Sequence, residues 1–146
     1  MQHMVRAAWW VLAVIALAFS IWFAVTGTMA DVDLGCAKVA EGGAAFECGD
    51  RVTDVLGIWP PVWLGIPLVA PSAVAAVAGR VWASGAATVA LIVAGIVGLA
   101  NWTGFWGTLL VALPLAALGA FVTFIQIARE RRPERHPERR RGQVRG

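Results

Sequence analysis

Charge is what this chain most conspicuously lacks. Only 14% of its 146 residues are Asp, Glu, Lys or Arg, against about 25% in a typical soluble domain. The few charges are also clustered. None falls between Arg6 and Asp31, between Asp54 and Arg80, or between Arg80 and Arg129. A membrane-spanning helix needs about 20 mostly apolar residues. The first two gaps each hold one such helix, and the third, at 48 residues, holds two and a tight turn.

The same scarcity argues against whole classes of function. No Asp, Glu, Lys, Arg or His lies inside an expected span, and intramembrane ionisable groups are what proton relays and ion-coupled transporters are built from. A metal-dependent intramembrane enzyme is disfavoured on the same ground. The polar residues in the spans are Ser20, Thr26, Ser72, Ser84, Thr88, Thr108, Thr123 and Gln126. Small hydroxyls bond their own helix backbone and need no further role. Cysteine is scarce as well. Cys36 and Cys48 are the only two, without a Cys-x-x-Cys spacing and without a histidine near them. That makes a poor zinc site and a poor setting for a low-pKa redox thiol. Lysine is nearly absent, one against eleven arginines, a bias that suits a GC-rich bacterial genome. No catalytic, cofactor or metal residue is nominated, and the chain is not expected to be an enzyme.

What is present lays out an all-α, four-helix membrane domain over residues 1–128. The expected spans are 7–27, 57–78, 81–100 and 105–128, with an outer loop over 28–56 and a short turn at Asn101–Gly104. Orientation follows from the arginines, since cytoplasmic flanks carry excess Lys and Arg. Arg6, Arg80 and the tail residues Arg129, Arg131 and Arg132 then lie inside with both termini. The loop, with six acids against Lys38 and Arg51, lies outside. A multi-pass protein of a bacterial inner membrane is expected. The eight tryptophans fall near the span ends, Trp9, Trp10 and Trp82 inside, Trp22, Trp59, Trp63, Trp102 and Trp106 outside. Indole favours the headgroup region. One competing reading treats span one as a signal peptide cut after Met29–Ala30, leaving three spans. Its apolar run of about 20 residues exceeds the usual signal h-region of about 7–15.

In the oxidising outer compartment Cys36 and Cys48 are expected to form a disulfide. Closing that short loop stabilises by about 3 kcal/mol in the chain-entropy model. Span two is proline-rich. Pro60 and Pro61 suit a helix start, whereas Pro67 and Pro71 free the carbonyls of Trp63 and Pro67 and mark a kink or hinge. Pro114 is a similar kink candidate in span four. On span three, Ala83 with Ala87 and Ala94 with Gly98 have the small-xxx-small spacing that lets helices approach closely. Residues 129–146 carry eight arginines, three glutamates and almost nothing apolar. They form a disordered, basic cytoplasmic tail that sets topology and can dock on anionic lipid headgroups. No nucleic acid is expected, because the glutamates are interspersed and aromatics are missing. Asn101-Trp102-Thr103 matches the N-glycosylation pattern in a turn too close to the membrane to be modified.

The layout is similar to that of tetraspan proteins such as claudins, four helices with a two-cysteine outer loop after the first. The Trp…Gly-Leu-Trp signature of claudins is missing, since only Leu34-Gly35 precedes Cys36, and no residue role is carried over. Three functions fit this layout. The first is a non-enzymatic accessory or scaffolding subunit acting through membrane-protein contacts or self-association. The second is a transporter or channel component with span two lining the path. The third is a membrane thiol oxidoreductase using Cys36 and Cys48.

Overall fold

A computed structural model describes residues 2–32 and 47–131, and all of its regular elements are helical. Four helices are long and apolar enough to cross a membrane. The first is α1, Gln2–Thr26. Two short helices at the loop follow, α2 (Met29–Val32) and α3 (Val52–Leu56). The second crossing is α4, Trp59–Ala78, and the third is α5, Val81–Ala100. The fourth is composite, a 3-10 helix η1 (Phe105–Val111) running into α6 (Ala112–Glu130).

Each boundary has a local cause. α1 stops at Gly27, whose N–H bonds the Phe23 carbonyl at 2.8 Å. A Cβ on Gly27 would stand 2.6 Å from that same oxygen. α4 opens with Pro60 and Pro61 in its first turn, where no N–H partner is needed. It closes at Gly79, left-handed at φ 59°, whose N–H bonds the Ala75 carbonyl. α5 ends where the Asn101 side chain donates to the Val97 carbonyl at 2.9 Å.

The fourth crossing departs from the expected single α-helix. Its first seven residues wind as the tighter 3-10 form, and Thr108 Oγ1 donates back to the Phe105 carbonyl at 2.7 Å. Two constraints meet there. Gly107 folds against the turn, so close that a Cβ would lie 2.7 Å from the Trp102 carbonyl oxygen. Pro114 has no N–H to offer the Leu110 carbonyl, and regular α-helix resumes with it in the first turn, where proline is tolerated. The kink expected at Pro114 thus takes the form of a change in helix type just upstream. Pro67 and Pro71, by contrast, lie inside α4 without ending it.

The four crossings pack up-and-down. α4 lies between α1 and α5, α5 also packs along α6 and η1, and α1 meets α6 over a shorter stretch. The core runs through Trp9, Leu12, Ala16, Leu64, Leu68, Ala75, Ala76, Ala87, Leu91, Leu109, Ala112 and Leu115. Large apolar residues such as Ile15, Val74, Val89, Ile96 and Phe124 are exposed, the arrangement that suits a lipid surround. Lipid tails are as apolar as these side chains, so the helices associate by close packing rather than by exclusion of water. Ala83, Ala87, Ala94 and Gly98 are all buried between helices of this chain. A Cβ on Gly98 would stand 2.6 Å from the Leu110 backbone nitrogen.

The loop expected to be merely polar has structured arms. Thr28 bridges to Arg51, Met29 N–H bonds the Asp50 carbonyl, Ala30 N–H bonds the Cys48 carbonyl, and Val52 N–H bonds the Gly27 carbonyl. Met29, Val32 and Val52 join Phe23 in a second small core, with Phe105 and Cys48 against it. These apolar residues are scattered among acids in the sequence and converge only when the arms zip together.

Candidate functional site

The described charged side chains fall into two opposed zones. Arg6, Arg80, Arg129 and Arg131 mark one end of the bundle, and Asp31, Glu47, Asp50, Arg51 and Asp54 the other. The antiparallel register is set by contacts along the helices. Arg6 meets Val77, Ser84 meets Gln126, and a Cβ on Gly65 would lie 3.3 Å from Ser20 Oγ.

Between these zones lies a buried polar seam that joins three helices. Trp9 Nε1 on α1 donates to Ser84 Oγ on α5 at 3.0 Å. Ser84 Oγ in turn donates to Gln126 Oε1 on α6 at 3.1 Å, a shorter contact than its 3.4 Å alternative to the Arg80 carbonyl. One turn on, Thr88 Oγ1 donates to the Ser84 carbonyl at 2.9 Å and lies 3.3 Å from Thr123 Oγ1. Thr123 donates to the Gly119 carbonyl at 2.8 Å. Gly119 makes room for this arrangement, since a Cβ there would lie 2.9 Å from the Trp9 ring and 3.3 Å from Thr88 Oγ1.

The seam holds an indole, hydroxyls and a carboxamide. Its hydroxyls bond helix carbonyls or one another, so what the cluster supplies is cross-bracing. Interhelical hydrogen bonds in membranes average about 0.6 kcal/mol each, up to about 1.7. Trp9 corrects one sequence expectation. Its position near the span end predicts a place in the headgroup belt, yet it is 0% exposed, while Trp10, Trp22, Trp59, Trp63, Trp82, Trp102 and Trp106 are all exposed. Residues 9 and 10 are about 100° apart around the helix, and the packing of α5 and α6 takes up only the Trp9 side. The available signal was Gln126, the only carboxamide in the expected spans, which at that depth needs a partner. Ser20, Thr26, Thr88 and Thr123 bond carbonyls of their own helices as expected. Ser72 is the exception, its hydroxyl buried with no hydrogen-bond partner.

At the arginine end, Arg6 has a packing role beyond any topological one. Its Nη2 donates to the Val77 carbonyl at 2.6 Å, satisfying one of the last carbonyls of α4 and placing a cation at the negative end of the helix dipole. Gly79 is adjacent, and a Cβ there would lie 2.9 Å from Arg6 Nε. Arg80 is the extended N-cap of α5, and its side chain is exposed. Arg132 and the remaining tail, expected to be disordered, lie outside the described residues.

At the loop end, Asp31 accepts from the backbone N–H and the hydroxyl of Thr28 at 2.9 and 2.8 Å. Those bonds, the backbone one first, hold its carboxyl below the usual 3.8. Cys48 is half-buried against the second core, and no described cysteine is free. Its expected partner Cys36 lies outside the described residues. Pro67 and Pro71 are partly buried on one flank of α4, where they line an open apolar groove against α5. A second groove, of about 580 Å³, runs between α1 and α4 towards the loop end. Comparison with protein-family models, with curated proteins and with solved structures gives no match.

Proposed function

We propose that this chain is a non-enzymatic accessory or scaffolding subunit of a bacterial inner membrane, inserted with both termini in the cytoplasm and acting through protein contacts. The observation that carries the reading is where its polar groups go. Ser84, Thr88, Thr123, Trp9 and Gln126 close on one another and on helix carbonyls. The described charged groups stand at the two ends. A bundle so arranged offers surfaces and a fixed shape. The inside placement of Arg6, Arg80 and the tail rests on the positive-inside rule.

In this reading a Cys36–Cys48 disulfide closes the outer loop. The zipped arms around Thr28 and Arg51 support it, because they hold the loop base together and leave a short segment to close. Mass spectrometry of the unreduced, alkylated chain tests it. Two alkylated cysteines in freshly prepared protein would exclude the bond.

The accessory role is tested by photo-crosslinkers placed at Ile21 and Val62, both exposed on the groove between α1 and α4. Crosslinking in cells is expected to give one discrete adduct, to a partner chain or to a second copy, that mild-detergent purification also recovers. Lipid adducts alone, with a monomer on purification, would overturn the role. A second reading makes α4 a hinge lining a solute path. It is favoured by the unpartnered Ser72 hydroxyl beside Pro71. There, replacing Pro67 and Pro71 by alanine abolishes solute flux in reconstituted vesicles, and unchanged flux rejects it.

A further inference from the structure

α5 presents alanines at 83, 86, 87 and 90, spaced i, i+3, i+4 and i+7, to the flank of α4 that carries Pro67, Ala70 and Pro71. So little side-chain volume leaves an open groove of about 320 Å³ along the helix pair, lined from Ile66 to Val74 and Trp82. That stretch of α4 rises about 12 Å at 1.5 Å per residue. The groove does not stop at Val74. A second hollow, which shares Val74, continues along α4 over Val77 and Ala78. Its last lining residue, Ala78, directly precedes Gly79 and Arg80 in the chain, and Arg6 is bonded to the Val77 carbonyl at that end.

We propose that this groove holds one acyl chain of an anionic phospholipid whose phosphate rests at Arg80 and Arg6. The lining is almost wholly carbon, which selects a hydrocarbon chain over a soluble anion. The charge at this end is predominantly positive, four arginines against Glu130, which closes α6. Arg6 and Arg80 are exposed, Arg129 and Arg131 lie at the same end, and every acid whose side chain is described is at the opposite end. Arg6 uses one amine group on Val77 and keeps further N–H donors for a phosphate. Trp82, exposed beside the groove, sits at the depth where indole borders headgroup and chain. The larger groove between α1 and α4 opens instead towards the acidic end, and no such complementarity assigns it an occupant. The inference rests on the membrane-spanning architecture alone, not on the accessory role, so absence of a protein partner would leave it standing.

The test is native mass spectrometry of the full chain equilibrated with equal phosphatidylglycerol and phosphatidylcholine. One phosphatidylglycerol should be retained per chain, preferred by about tenfold or more for two basic residues at the headgroup. Arg80→Gln should cut that preference about fivefold, and Arg80→Lys should keep it. Joint Ala86→Leu and Ala90→Leu replacements, both at exposed positions, should fill the groove and abolish retention while every arginine stays in place. If Arg80→Gln fails to insert, the groove-filled chain decides alone. Equal retention of the two lipids would overturn the proposal. So would wild-type retention by the groove-filled chain, displacement by inorganic phosphate, or a lipid-free dimer.

Discussion

Replacing Gly98 by alanine probes a close backbone approach between two helices. A Cβ built there lies 2.6 Å from the Leu110 nitrogen, 2.8 Å from the Leu109 carbonyl carbon and 3.0 Å from Leu109 Cβ. Optimal contact between carbon atoms is about 3.5–4.0 Å, so α5 and η1 must part by on the order of 1 Å. Two of the three neighbours are backbone, and no rotamer change relieves them. Overpacking of this kind costs about 1–3 kcal/mol, against a gain of about 0.5–1 kcal/mol from replacing a helical glycine. The net loss is about 1–2 kcal/mol. Gly85→Ala is the matched control, because nothing lies within 4 Å of its Cβ position and only the gain of about 0.5–1 kcal/mol remains. Gly95→Ala falls between, since it meets chiefly the movable Leu113 side chain. Unfolding in mixed micelles with increasing dodecyl sulfate, followed by circular dichroism, should separate Gly98→Ala from Gly85→Ala by the overpacking cost of about 1–3 kcal/mol. A difference below about 0.5 kcal/mol, within the usual scatter of independent sites, would refute the packing argument.

Four further predictions each test one side chain, the first two in the same unfolding assay. Ser72→Ala should be neutral or stabilising by up to about 1 kcal/mol, because it removes a buried hydroxyl with no partner. Ser84→Ala should cost about 1–2 kcal/mol, since it strands the buried Trp9 N–H and frees Gln126. Arg6→Gln should destabilise the α4 terminus by about 0.3–1 kcal/mol, read as faster amide exchange at Gly79, whose N–H bonds the Ala75 carbonyl. Asp31 has its carboxyl lowered by the Thr28 bonds, so its contribution to the loop base is fully present above the usual 3.8 and is lost as pH falls through the lower folded value. Asp31→Asn should flatten that acid limb in a carboxyl or amide NMR titration of the α1–α2 junction.

Three charge gaps by themselves determined that this protein has four helices long and apolar enough to cross a membrane. The turn at Gly79–Arg80, the break at Asn101 and the proline-led start of α4 were equally local, written in residues whose backbone preferences act wherever they stand. Tertiary structure alone decided what those preferences do not reach. Which of Trp9 and Trp10 turns inward depends on where Ser84 and Gly119 arrive from 75 and 110 residues away. Whether a hydroxyl braces another helix or only its own depends on rotation about the helix axis, which an all-round apolar helix does not encode in its periodicity. The 3-10 start of the fourth crossing needed the Trp102 turn folded back on Gly107. The groove beside α4 is legible only in space, because it is made of side-chain volume that two separate helices both omit.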